Sequence, residues 1–133
     1  AYEGRLVRLG LDCIPRYQLH AVDPKVPFVE SVGALGDLKR EGKIRWIGLS
    51  NVTIDQLKIA QGLVNVVSVQ NRFNIIDRDS WAVIDECERL NIPFIPWYPF
   101  AAGQHLTGTL VERSKAVLDK ISSSRGLTNA QVI

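Results

Sequence analysis

Methionine is absent from these 133 residues, and cysteine occurs only twice, as Cys13 and Cys87. Two thiols so far apart in the chain form neither a disulfide framework nor the closely spaced ligand pairs of a zinc site. A reducing, cytoplasmic setting is therefore expected. The missing methionine implies a processed chain or a piece of a longer one. Charge of either sign is scarce in excess: 16 Lys and Arg stand against 14 Asp and Glu, for a net charge of +2. The basic residues are scattered, with no stripe that would mark a nucleic-acid or membrane-surface binder. No apolar run approaches the ~20 residues of a spanning helix. The opening Ala1-Tyr2-Glu3-Gly4-Arg5 lacks the charged-then-apolar layout of a signal peptide. With 46% hydrophobic and 23% charged residues, the composition excludes disordered and low-complexity classes. A length of about 100–200 residues per domain predicts one domain over residues 1–133.

Four short, β-branched apolar runs punctuate the chain: Ile14–Leu19, Ile44–Leu49, Val66–Val69 and Pro93–Trp97. Near-continuous apolar runs of this length predict strands buried on both faces. Helical patterns lie between them. Val32–Glu41 carries Val32, Leu35 and Leu38 on one face and stops at Gly42, a residue suited to the left-handed position after a helix. Thr53-Ile54-Asp55-Gln56 reads as a capping box, and Ser80 as the cap of a third helix. A fourth pattern covers Glu112–Ser124, and a second capping box, Thr128-Asn129-Ala130-Gln131, opens a helix near the end.

Strand and helix thus alternate with a period of about 20–30 residues, which predicts βα units, parallel strands and right-handed crossovers. An open doubly wound sheet and part of a (β/α)8 barrel both fit. A full barrel needs ~250 residues. Four βα units with a final helix cut short predict a barrel fragment.

Parallel α/β folds collect their chemistry at the carboxyl ends of strands. The first run leads to Tyr17-Gln18-Leu19-His20, the second to Gly48-Leu49-Ser50-Asn51, the third to Val69-Gln70-Asn71-Arg72 and the fourth to Pro96-Trp97-Tyr98-Pro99-Phe100. Imidazole, hydroxyl, carboxamide and aromatic groups suit a neutral carboxamide and a flat ring better than a metal, and no Asp/Glu/His cluster with ligand spacing accompanies them. Tyr17 lies three residues before His20, on the opposite strand face, and is expected to turn toward the helices. Cys13 and Cys87 are expected to be buried thiols, and His105 a solvated loop residue.

Those segments also carry a resemblance. Tyr17-Gln18-Leu19-His20 with Asp23-Pro24-Lys25-Val26-Pro27 resembles the fourth strand and following loop of aldo-keto reductases. Glu41-Gly42-Lys43-Ile44-Arg45-Trp46-Ile47-Gly48-Leu49-Ser50-Asn51 resembles that family's fifth strand. Val69-Gln70-Asn71-Arg72-Phe73-Asn74 with Asp77-Arg78 resembles the sixth, and Phe94-Ile95-Pro96-Trp97-Tyr98-Pro99-Phe100 the seventh. All four stand in family order across nearly the whole chain. The resemblance implies strands four to seven of a (β/α)8 barrel that binds NADPH and reduces aldehydes or ketones. It implies that His20 hydrogen-bonds the substrate carbonyl, that Ser50, Asn51 and Gln70 hold the nicotinamide carboxamide, and that Trp97 stacks on the nicotinamide ring. Tyr98 and Phe100 would lie along the pyrophosphate.

Departures from the family pattern accompany the matches. Trp97 replaces the usual Tyr, Pro15 stands where members often carry Asp, Tyr98 where many carry Ser, and Arg72 where many carry Glu. The family's proton-donating tyrosine, with its aspartate and lysine, would precede Ala1, and the 2′-phosphate grip would follow Ile133. Three expectations follow: residues 1–133 alone are inactive, the small-molecule carbonyl substrate stays unnamed, and the open edges of the first and last strands invite self-association. An alternative, favoured by Trp97, is a family member that binds NADPH as a sensor or regulatory subunit with little turnover.

Overall fold

The computed structural model of the protein describes residues 3–99 and 109–132. Its elements run α1 (Glu3–Leu9), β1 (Ile14–Leu19), α2 (Phe28–Arg40), β2 (Ile44–Ser50), α3 (Ile54–Leu63), β3 (Val66–Arg72), α4 (Trp81–Leu90), β4 (Phe94–Trp97), α5 (Thr109–Arg125) and α6 (Asn129–Val132). The strands form one sheet in the order β1-β2-β3-β4. β1 runs parallel to β2, and β2 parallel to β3. Two compact units divide the chain, one from Ala1–Asn71 and Ala82–Ile95, the other from Arg72–Trp81 and Pro96–Ile133.

The four strands appear where the apolar runs predicted them, with shifted ends. β3 continues three residues past Val69, since a polar side chain does not end a strand whose backbone stays paired: the Asn51 amide donates to the Gln70 carbonyl at 3.1 Å. α2 starts at Phe28, before the first periodic residue Val32. Pro27 stands just outside as the N-cap, at φ −52° and ψ 129°, and its carbonyl accepts from the Glu30 and Ser31 amides. Gly42 takes φ +73°, where its amide donates to the Lys39 carbonyl and the Lys43 amide to the Leu38 carbonyl. That pair is a Schellman motif closing α2. The Thr53–Gln56 capping box opens α3 with both reciprocal bonds made. In the second box only the backward half forms, from the Thr128 amide to Gln131 Oε1. α1 was not expected; Leu6 packs it against the core.

The first unit's main core joins Leu49, Val66 and Val69 of the strands to Val32 of α2, Leu57 and Ala60 of α3, and Val83 and Cys87 of α4. A second cluster sets Ile14, Ile44 and Ile47 against Leu35, with Tyr17 and Leu38 packed on it, so Tyr17 does turn toward the helices. Between β2 and β3 the register jumps: Ile47 faces Val66, but Gly48 faces Ser68. This one-residue bulge brings both Val66 and Val69 onto the helix side. Burial pushes the Cys87 thiol up to about 11, with the neighbouring Glu86 carboxylate adding to the rise. Cys87 is therefore an unreactive core thiol, while Cys13 is half-buried. Arg89, hydrogen-bonded to Glu86 at 2.7 and 2.9 Å, holds that carboxyl below its ordinary range.

Asn71 ties the sheet to the turn that follows β2. Its side chain is buried, accepts from the Val52 amide at 3.1 Å and donates to the Val52 carbonyl at 2.7 Å. Asn71→Ala leaves both buried groups unpaired, at about 1–3 kcal/mol for each. A loss of about 2–6 kcal/mol in unfolding free energy, measured by urea denaturation, is expected.

Candidate active site at the strand ends

Because side chains alternate along a strand, the packing of Leu49 and Val69 on the helices turns Gly48, Ser50, Ser68 and Gln70 to the opposite face. Gln18 belongs there too, since it pairs with Gly48 as Leu19 pairs with Leu49. This face is polar and yet enclosed: Ser50 is 2% exposed and Ser68 1%. Its centre is open backbone. A Cβ at Gly48 would lie 2.8 Å from Ser68 Oγ and 3.4 Å from Gln18 Oε1. The gap lets Gln18 Nε2 reach across β2 to Gln70 Oε1, at 2.8 Å.

Asn51 gathers the ends of three strands. It sits at φ +56°, a left-handed conformation that Asn tolerates better than most residues. From there its Nδ2 donates to the His20 carbonyl at 2.8 Å and to Ser50 Oγ at 3.0 Å, while its backbone amide donates to Gln70. His20 itself is exposed just beyond β1. Of the expected site residues, His20, Ser50, Asn51 and Gln70 are thus linked through a single side chain and its backbone. This set carries hydroxyl, amide and imidazole groups and no carboxylate. It can bind a neutral group with both donors and acceptors, such as a carboxamide, and can present an imidazole to a polar substrate. Among the described residues no group of three or more His, Cys, Asp or Glu could hold a metal ion, and no helix is long and apolar enough to cross a membrane.

Trp97 and Tyr98 belong to the second unit. Their rings are 6.3 Å apart, with Tyr98 at φ +60°. The Arg72 guanidinium lies 5.8 Å from the Trp97 centroid and 5.2 Å from that of Tyr98, and pairs with Asp77 at 2.8 Å. A cavity of about 260 Å³ in this unit is lined by Phe73, Asn74, Arg78, Pro96, Pro99 and Leu118 among others, and by none of the described site residues expected from sequence. Phe100 and His105 lie outside the described residues.

Residues 2–124 match the sequence model of the Aldo/keto reductase family. The chain belongs to that family. An uncharacterized oxidoreductase of Schizosaccharomyces pombe is 43% identical over 91% of this chain and 40% of its own length. An aldo-keto reductase of Fusarium vanettenii is 36% identical over 78% of this chain and 30% of its own. Among solved structures, a thermostable aldo-keto reductase in complex with the inhibitor epalrestat superposes with a TM-score of 0.86 at 28% identity, covering 99% of this chain and 48% of that one. A Klebsiella pneumoniae aldo/keto reductase in complex with NADP and acetate gives 0.80 at 26% identity, covering 100% and 47%. The chain spans less than half the length of these relatives. Its four parallel strands and alternating helices form part of the (β/α)8 barrel of the family.

Three residues of this polar face were not singled out from sequence: Gln18, Gly48 and Ser68. A period-two count back from His20 puts Gln18 on the same face, which was the available signal. Ser68 had none, because the bulge at Val66–Ser68 resets its parity.

Gly48→Ala is expected to destabilise the protein by about 1–3 kcal/mol, the cost of overpacking. Adding Ser68→Ala removes the Oγ that the new methyl meets and should restore part of the loss. Thermal unfolding of the single and double variants measures both.

Proposed function

We propose that this chain is the central part of an NADPH-dependent oxidoreductase that reduces aldehydes or ketones, forming one domain over residues 1–133 within a longer barrel. The observation that carries the reading is the linkage of His20, Ser50, Asn51 and Gln70 through Asn51. Its support is the family membership of the chain and the NADP and NADPH complexes of the Klebsiella pneumoniae relative. The residues fit the cofactor's carboxamide: the groups on this face, Gln18, Ser50, Ser68 and Gln70, are amides and hydroxyls without charge.

Ser50, Asn51 and Gln70 would hold the carboxamide, and so decide which face of the ring meets the substrate. Trp97 would stack on the ring, with Tyr98 and Phe100 near the pyrophosphate. When bound, the nicotinamide supplies the hydride. His20 would donate a hydrogen bond to the substrate's carbonyl oxygen, where negative charge develops as the carbon is reduced. The charge must finally be met by a proton, and a positioned acid is worth on the order of 10²–10⁴-fold. No described residue joins His20 in the hydrogen-bonded cluster as such an acid. Residues 1–133 alone are therefore proposed to be inactive, in a cytoplasmic setting, with β1 and β4 offering sheet edges for self-association.

Trp97 in place of Tyr keeps the second reading, a cofactor-binding sensor with little turnover. Turnover of a reactive aldehyde by the full-length protein separates the two.

In the full-length protein, Gln70→Ala should weaken NADPH binding by about 1–2 kcal/mol, the scale of one lost hydrogen bond. Fluorescence titration reads it, and unchanged affinity would remove Gln70 from the carboxamide site. Expressed by itself, the 133-residue chain should leave NADPH absorbance constant in the presence of an aldehyde. Turnover abolished by His20→Ala would refute the proposed inactivity.

A further inference from the structure

Gln18 has no place in the proposed cofactor contact, yet its Nε2 donates to Gln70 Oε1 at 2.8 Å. The bond spans from β1 to β3, passing over β2 where Gly48 pairs with both Gln18 and Ser68. A Cβ at Gly48 would meet Ser68 Oγ at 2.8 Å and only touch Gln18 Oε1, at 3.4 Å, so the two side chains lie directly over the bare glycine backbone. Ser68 Oγ is buried with no hydrogen-bond partner, so it does not compete for the Gln18 amide.

We propose that Gln18 is a positioning residue, which fixes the rotation of the Gln70 carboxamide and so decides which of its ends the cofactor meets. The inference rests on the reading of Gln70 as a cofactor ligand. The terminal torsion of a glutamine is broad and roughly two-fold, so a free side chain presents its oxygen and its NH₂ group about equally. A carboxamide ligand distinguishes these ends, because one of its own atoms accepts and the other donates. With Oε1 committed to Gln18, Gln70 presents Nε2, a donor matched to the carbonyl oxygen of the nicotinamide carboxamide. Gly48 acts in the same device by leaving the path clear. Settling the orientation before binding removes an ordering cost from the association step.

The test is a double-mutant cycle in the full-length protein, with NADPH affinity read by fluorescence titration and folding checked by thermal unfolding. Gln18→Leu is expected to weaken NADPH binding about three- to tenfold, the range of one hydrogen bond. In the Gln70→Ala background the same substitution should cause no further loss, since its effect passes through Gln70. Gln18→Glu supplies a second variant that preserves shape. Protonated, it can still donate to Oε1; ionised, it can only accept, which turns Gln70 around. Its NADPH affinity, taken relative to the parent protein's at each pH, should fall with rising pH as that carboxyl ionises. A purely structural role would give equal losses in both backgrounds and no such profile, and either result overturns the proposal. A silent Gln18→Leu with a harmful Gln70→Ala overturns this proposal alone. A silent Gln70→Ala overturns it together with the cofactor reading on which it rests.

Discussion

Leu49, Val66 and Val69 have no exposed surface, because Val32, Leu57 and Ala60 of the helices cover them. Burial of this kind stabilises by about 1.5–3 kcal/mol for each full-sized side chain, and it settles the parity of each strand. A strand slipped by one residue would send its polar set into the apolar layer and its valines away from it. The polar face of Gln18, Gly48, Ser50, Ser68 and Gln70 is therefore a consequence of the helix packing. The site is what remains on the other side of a sheet whose first side is committed.

The bulge at Val66–Ser68 shows how strong that constraint is. Strict alternation from Val66 would point Ser68 and Gln70 toward the helices. One extra residue in β3 lets Val66 and Val69 both reach the core while Ser68 and Gln70 turn away. Asn71, one residue on, then falls on the helix side as a polar group. It is satisfied there by both backbone groups of Val52, the residue after Asn51. The same short segment thus anchors the turn from within the core and, through Asn51, joins His20, Ser50 and Gln70 on the other side. Support and site are neighbours in sequence because successive strand residues face opposite ways.

In the second unit, Arg72 shows a departure from the family pattern acquiring a local structural role. It pairs with Asp77 and lies over the rings of Trp97 and Tyr98. A carboxylate at position 72, as many members carry, could make neither contact. The cation at position 72 and the indole at position 97 are therefore in direct contact.

Strand positions, the start of α3 and the polar exits were legible in the chain because each rests on local rules: apolar runs of strand length, a capping box, and a left-handed glycine after a helix. His20, Ser50, Asn51 and Gln70 could be chosen by their place at strand ends together with the resemblance around them. The early start of α2 was not legible, since Pro27 and Phe28 carry no helical period of their own. The bond between Gln18 and Gln70 was decided only by the tertiary structure. It joins side chains far apart in sequence, across a third strand, and depends on the register of two strand pairs, a bulge in one of them and the missing side chain of Gly48. Local sequence sets which residues a strand offers; only the assembled sheet sets which of them meet, because register is fixed by burial on the opposite face.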